Sequence, residues 1–231
     1  MKHIPNFLTI CNLLSGCIGI VMVSNGQLEI AAYLIWLAAI FDFFDGFSAR
    51  ALKSYSRIGG ELDSLADMVT FGVLPSYIVY ALLSVNLPTD LHWLAYGAFL
   101  IAAFSALRLA IFNVDTRQTS SFIGLPTPAN ALLISSLPLS QVNILDELLG
   151  NPYILLGLVV LLSYLLVAEI ELMAFKFKNY SWADNQLKYI FMIVSLLLVL
   201  LLNTFAIPLV IILYILLSLA KKSMSGRGAK S

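Results

Sequence analysis

Apolar runs long enough to cross a bilayer recur along this chain, and they constrain its fold more than any other feature. Inside the hydrocarbon core no water satisfies backbone N–H and C=O groups, so a spanning segment of this length is expected to be a helix of about 20 residues. Eight such stretches are expected, at about 7–24, 28–50, 62–84, 91–112, 126–141, 152–173, 183–202 and 205–220. From Leu187 to Leu219 the sequence is almost unbroken apolar, too long for one helix along the membrane normal. Asn203, Thr204 and Pro208 place a hairpin inside it. With 60% hydrophobic and 11% charged residues among 231, there is no room for a separate soluble domain. The expected fold is an all-α polytopic membrane helix bundle spanning 1–220, followed by a basic tail at 221–231.

The charges orient this layout. With eight spans and both termini on one side, all 13 Lys and Arg residues fall on the same face, while the opposite loops carry Glu29, Asp90, Asp146 and Glu147. By the positive-inside rule the basic face is cytoplasmic. That face suits anionic lipid headgroups rather than nucleic acid. Met1 to Asn6 has no small-residue cleavage site following a short apolar core, so the first run is expected to be retained. Cys11 and Cys17 lack zinc-site spacing and are expected to pack as small apolar residues.

Against this background the segment Asp42 to Asp67, DFFDGFSARALKSYSRIGGELDSLAD, stands out. Asp42 and Asp45 are spaced i,i+3, and Asp63 and Asp67 are spaced i,i+4, so each pair projects from one face of its own helix. A bend at Gly59-Gly60 would let the two faces meet, with the second helix starting near Glu61 and Asp63 in its first turn. Four carboxylates crowded at a membrane edge repel one another and resist desolvation, and divalent cations relieve both problems. Oxygen-only ligation favours Mg²⁺, Mn²⁺ or Ca²⁺ over zinc. Two ions about 3.5–4 Å apart would form the clamp used in phosphoryl displacement. Gly46 and Ala49 continue the first acidic stripe with little bulk, leaving room for a nucleotide, and Arg50 carries a fork suited to phosphate oxygens. Asn6, Thr9 and Asn12 recur on one side of the first span, where they serve either interhelical hydrogen bonding or contact with a nucleotide or phosphate.

The spacing D-x2-D-G-x2-A-R-x8-G-x3-D-x3-D, filled by Asp42, Asp45, Gly46, Ala49, Arg50, Gly59, Asp63 and Asp67, resembles the signature of the CDP-alcohol phosphotransferases. Two further segments narrow the resemblance to the bacterial phosphatidylserine synthase branch. One is RLAIFNV at Arg108 to Val114 followed by FIGLPTPAN at Phe122 to Asn130; the other is the early run with Pro5, Asn6, Leu8, Thr9, Asn12, Leu13 and Gly16. Ile111 stands where the usual pattern has a basic residue. The resemblance covers the first five spans.

It implies transfer of a phosphatidyl group from CDP-diacylglycerol to L-serine with release of CMP. Asp42, Asp45, Asp63 and Asp67 would hold two Mg²⁺ or Mn²⁺ ions, and Asp67 would be the general base. Gly46, Ala49, Arg50, Gly59, Asn6 and Thr9 would seat the nucleotide and phosphates. Arg108, Asn113, Lys178 and the turn with Gly124 and Pro126 are the candidate serine pocket, the turn because a helix start can hold a carboxylate. Asn113 or Asp115 would receive the ammonium. Expected partners are the two substrates and membrane lipids, and a homodimer is allowed. Competing readings keep the chemistry but change the acceptor to glycerol phosphate or inositol, or the donor to CDP-archaeol. From another class comes a divalent-cation transporter, which calls for ionisable residues crossing the midplane that these spans barely offer.

Overall fold

A computed structural model describes residues 3–54, 56–115, 121–139, 150–173 and 181–228. The described chain is almost entirely helical. Its elements are α1 (Ile4–Ser24), α2 (Leu28–Ala51), α3 (Arg57–Asp67), a π-helical segment (Met68–Val73), α4 (Leu74–Asn86), a 3₁₀ segment (Thr89–Phe99), α5 (Leu100–Val114), β1 (Ser121–Ile123), α6 (Thr127–Ser136), α7 (Pro152–Val167), β2 (Glu171–Met173), α8 (Trp182–Leu202), a 3₁₀ turn (Asn203–Phe205) and α9 (Ala206–Gly228). Among the described residues five helical stretches are long and apolar enough to span a membrane: Ile4–Ser24, Leu28–Ala51, Arg57–Asn86, Thr89–Val114 and Asn185–Leu202. Pro152–Val167 and Ala206–Leu219 are shorter apolar helices. The protein is an integral membrane helix bundle.

The local chemistry explains most boundaries. Pro5 in the first turn of α1 occupies a position whose N–H needs no helical partner. Asn203 has φ 50°, the left-handed break that separates α8 from α9. Pro208 then falls in the first turn of α9, so the expected hairpin is present. Exposed apolar side chains such as Phe7, Phe43, Leu196 and Leu200 would be liabilities in water and are ordinary against lipid.

Three expectations about boundaries are corrected. The reversal between α2 and α3 does not use Gly59-Gly60, which are helical, but falls at Leu52–Ser56, with Lys53 at φ 47°. Ser56 caps α3 by accepting the Gly59 N–H at 2.9 Å, so the helix starts at Arg57 and Asp63 lies beyond its first turn. The fifth stretch is helical only over Thr127–Ser136. The sixth ends at Val167, where Glu169 and Glu171 interrupt the apolar sequence, and continues as β2, paired antiparallel to β1 with Phe122 opposite Leu172.

Packing at the front of the bundle depends on small residues. A Cβ on Gly16 would collide with Thr70 Oγ1, and one on Gly19 with Leu74 Cδ2, so α1 lies directly on the helix running from Arg57 to Asn86. Gly72 in the π segment likewise lets Ser105 of α5 approach, its side chain 3.2 Å from where a Cβ would stand. α6 is buried nearly all round, and the Trp36 indole N–H donates to Ser135 Oγ at 2.9 Å, tying α2 to α6.

Candidate active site

The C-terminal half of α2 carries Asp42 and Asp45, and the C-terminal half of α3 carries Asp63 and Asp67. Carboxylate oxygens of Asp42, Asp63 and Asp67 come within 4.8 Å of one another. Asp67 is buried, while Asp42 and Asp63 are partly open. Bringing three acids together from two helices costs Coulombic repulsion that hydrogen bonds among them cannot remove. Oδ1 of Asp63 is buried with no hydrogen-bond partner, an acceptor left vacant. An all-oxygen donor set of this kind fits a hard divalent cation.

Asp45, on the same face of α2 one turn on, lies outside that set. Its Oδ2 accepts from Thr9 Oγ1 at 2.7 Å, and it is buried. The polar stripe of α1 meets the acids one residue at a time. Asn6 Oδ1 lies 3.0 Å from where a Cβ on Gly59 would stand, Thr9 bonds Asp45, and Asn12 Nδ2 donates to Asp67 Oδ1 at 3.3 Å. Thr70 Oγ1 in turn donates to the Asn12 carbonyl at 3.1 Å. Interhelical hydrogen bonding, one of the two expected uses of the stripe, is therefore what Thr9 and Asn12 do here. Gly59 contributes absence of bulk rather than flexibility, since its conformation is helical and α1 passes against it.

The remaining predicted residues divide. Gly46 and Ala49 lie along α2 beyond Asp45, and a Cβ on Gly46 would meet nothing closer than the Arg50 guanidinium at 3.9 Å, so this face is open and Arg50 is exposed beside it. Arg108 is buried, stacks 4.9 Å over the Phe112 ring, and is within electrostatic reach of Asp67 and of Tyr214 on α9. Asn113 is not brought to the acids: its Nδ2 donates to Ser64 Oγ at 2.9 Å, tying the end of α5 to α3. Gly124 has φ 76°, and a Cβ there would collide with the Leu166 carbonyl. Its N–H donates to Ile170 O at 3.0 Å and that of Leu125 to Leu165 O at 2.8 Å, so these donors are already engaged. Through these two bonds the turn seats α6 against the end of α7. Lys178 lies outside the described residues.

A family model described as CDP-alcohol phosphatidyltransferase matches residues 2–166, which takes in α1 through most of α7 and every acid of the cluster. The chain belongs to the CDP-alcohol phosphatidyltransferase family. It is thus a transferase of phospholipid synthesis. It is 37% identical over 183 residues to a CDP-diacylglycerol–serine O-phosphatidyltransferase of Helicobacter pylori, covering 74% of this chain and 72% of that one. It is 34% identical over 179 residues to the protein of the same description in Bacillus subtilis, covering 76% and 93%. An archaetidylserine synthase of Methanothermobacter thermautotrophicus is 35% identical over 136 residues, covering 58% and 56%. The matched region ends where the apolar hairpin α8–α9 has yet to begin.

In this phosphatidyltransferase two polar residues outside the acidic signature support Asp67. Asn12 was read as part of a polar stripe and proves to be the direct partner of Asp67. Thr70, one turn below Asp67 in the π segment, holds Asn12 in place. A π turn directly after an acid is a recurrent feature of functional sites, because the extra residue re-aims side chains on either side of it. The sequence carries no periodicity signal for it.

Proposed function

We propose that this enzyme transfers the phosphatidyl group of CDP-diacylglycerol to the hydroxyl of L-serine, giving phosphatidylserine and CMP. The observation that carries the reading is the convergence of Asp42, Asp63 and Asp67 within 4.8 Å, with one buried Asp63 oxygen unpartnered. Asp42, Asp45, Asp63 and Asp67 would hold two divalent ions, Mg²⁺ or Mn²⁺. When bound, such a pair neutralises charge on the diphosphate and on the departing CMP.

The chain's own residues then divide the work. The open face along Gly46 and Ala49 admits the nucleotide, and Arg50 takes phosphate oxygens. Asn6 and Thr9 line its α1 side and Gly59 its α3 side. Asp67 accepts the proton of the serine hydroxyl as the serine oxygen bonds to phosphorus and the bond from phosphorus to the CMP oxygen breaks. Asn12, by donating to Asp67, fixes which carboxylate oxygen is left for that proton. Arg108, buried beside Asp67, receives the acceptor's carboxylate, with Lys178 as its partner. Lipid tails enter laterally from the bilayer.

The positive-inside argument puts this end of the bundle at the cytoplasm, where serine and CMP exchange, in an eight-span layout with both termini on that side. Among the described residues the buried charges are Asp45, Asp67 and Arg108, all at one end, which gives a transporter no relay through the midplane. The test is purified protein supplied with CDP-diacylglycerol, Mg²⁺ or Mn²⁺, and a panel of alcohols, following CMP. The expected result is serine-dependent release that stops on chelation. Equal or faster release with glycerol phosphate or inositol would overturn the serine assignment.

A further inference from the structure

The first turns of α6 contain polar groups that no protein partner satisfies. Thr127 and Asn130, three residues apart on one face, are both fully buried, and neither Thr127 Oγ1 nor either end of the Asn130 carboxamide has a hydrogen-bond partner. An unsatisfied buried donor or acceptor forfeits the hydrogen bonds it made to water, so a carboxamide empty at both ends is an unfavourable arrangement. Lone buried hydroxyls, such as those of Ser163 and Ser105, are a lesser matter, because a helical hydroxyl can turn to a backbone carbonyl as Ser135 and Ser136 do. Asn130 has no such escape.

The helix register places these groups at the level of Asp42 along the bundle. The Trp36–Ser135 hydrogen bond pins α2 against α6, and α6 leaves the end of the bundle that α2 approaches. At 1.5 Å per residue, Asp42 lies about 9 Å from the level of Trp36 toward that end, Asn130 about 7.5 Å from Ser135 and Thr127 about 12 Å. The two bracket the level of Asp42. On the opposite side, Ser105 touches Gly72, so Arg108, one turn on, stands near the level of Asp67, with which it interacts. α6 packs on α2 and on the π segment that follows Asp67.

We infer that Asn130, supported by Thr127, is the acceptor-binding residue that reads the ammonium of an amino-acid substrate. The inference rests on the serine reading above. Arg108 supplies a cation for the carboxylate, but a zwitterion also needs a neutral or anionic acceptor, and the two residues expected in that role, Asn113 and Asp115, lie at the far end of α5, where Asn113 donates to Ser64. The Asn130 Oδ1 is a buried acceptor, able to take an N–H of the ammonium without adding a charge beside Asp67. A site built to hydrogen-bond a substrate group rejects analogues that lack it, because its own buried polar atoms are then left unpaired.

The experiment compares L-serine with 3-hydroxypropionate, which keeps the hydroxyl and carboxylate but lacks the ammonium, in full-length protein in detergent. Asn130→Leu is expected to raise the serine KM tenfold or more while the KM for CDP-diacylglycerol stays within twofold. It should leave affinity for 3-hydroxypropionate, read as substrate or competitive inhibitor, unmoved. Asn130→Asp keeps an acceptor at the same size and should retain the serine KM within about threefold, which also covers the case in which the leucine variant does not fold. An unmoved serine KM in the leucine variant, or parallel loss with both acceptors in either variant, overturns the assignment in favour of packing. Wild-type protein that releases no CMP with serine would sink the parent reading instead. The same variants measured with whichever alcohol does release CMP then decide Asn130 separately, since an unmoved acceptor KM there overturns its role too.

Discussion

The helix running from Arg57 to Asn86 and the helix from Asn185 to Leu202 are both apolar enough to cross a membrane, yet half of the first one's apolar stretch is buried inside the protein against 11% of the second's. In the first, glycines of α1 bring backbones into contact and polar side chains are spent on neighbours: Asn12 donates to Asp67, and Thr70 donates to the Asn12 carbonyl. The second presents Leu196, Leu197, Leu200 and Leu201 outward. Hydropathy alone ranks the two as near equals. What separates a reaction centre from a wall in lipid is how many neighbours its side chains bond, because only a protein neighbour can compensate a polar group there.

Removing the base should break this contrast most severely. Asp67→Asn keeps size and the ability to bond Asn12 but cannot take a proton, so CMP release is expected to fall by about 10²–10⁴, the usual worth of a positioned general base. Binding of CDP-diacylglycerol, followed by equilibrium dialysis of labelled lipid, should survive. Near-normal turnover would remove Asp67 from the role. Thr9→Val comes next. It deletes one hydroxyl that orients a carboxylate rather than the carboxylate itself, and such outer partners typically cost about 10–100-fold in metal affinity or activity. The loss should be seen as a raised Mn²⁺ or Mg²⁺ requirement for CMP release, with the maximum at saturating metal largely restored. A variant whose metal dependence is unchanged would show that Asp45 needs no such support.

Much of this site was legible before any coordinates. The i,i+3 and i,i+4 spacings placed Asp42, Asp45, Asp63 and Asp67 on two facing stripes, and three of the four meet. Spacing within a helix is set by its geometry and survives folding unchanged. The junction between the helices was not read correctly, because Gly59-Gly60 looks like a break while the cap at Ser56, a local signal, was passed over. The β1–β2 pair could not be read at all: Phe122 meets Leu172 across a long separation, and three-residue strands in apolar sequence carry no distinct period. Nor could Asn130. Its letter is the same whether its carboxamide is satisfied or empty, and that difference exists only once neighbours are in place.

The smallest expected effect tests the comparison at its base. Leu74 is fully buried and fills the space that Gly19 leaves on α1, whereas Leu200 is 69% exposed on α8. In water both truncations to Ala would lose transfer free energy. In a membrane the surroundings of Leu200 are lipid, as apolar as the side chain, so Leu200→Ala should change the thermal midpoint in lipid nanodiscs by no more than about 0.5 kcal/mol equivalent and leave CMP release intact. Leu74→Ala leaves a void that lipid cannot fill, and the lost contacts should cost on the order of 1–3 kcal/mol. Equal losses at the two positions would mean that α8 is covered by protein, as a homodimer through that face would do, and the outer wall would then be an interface.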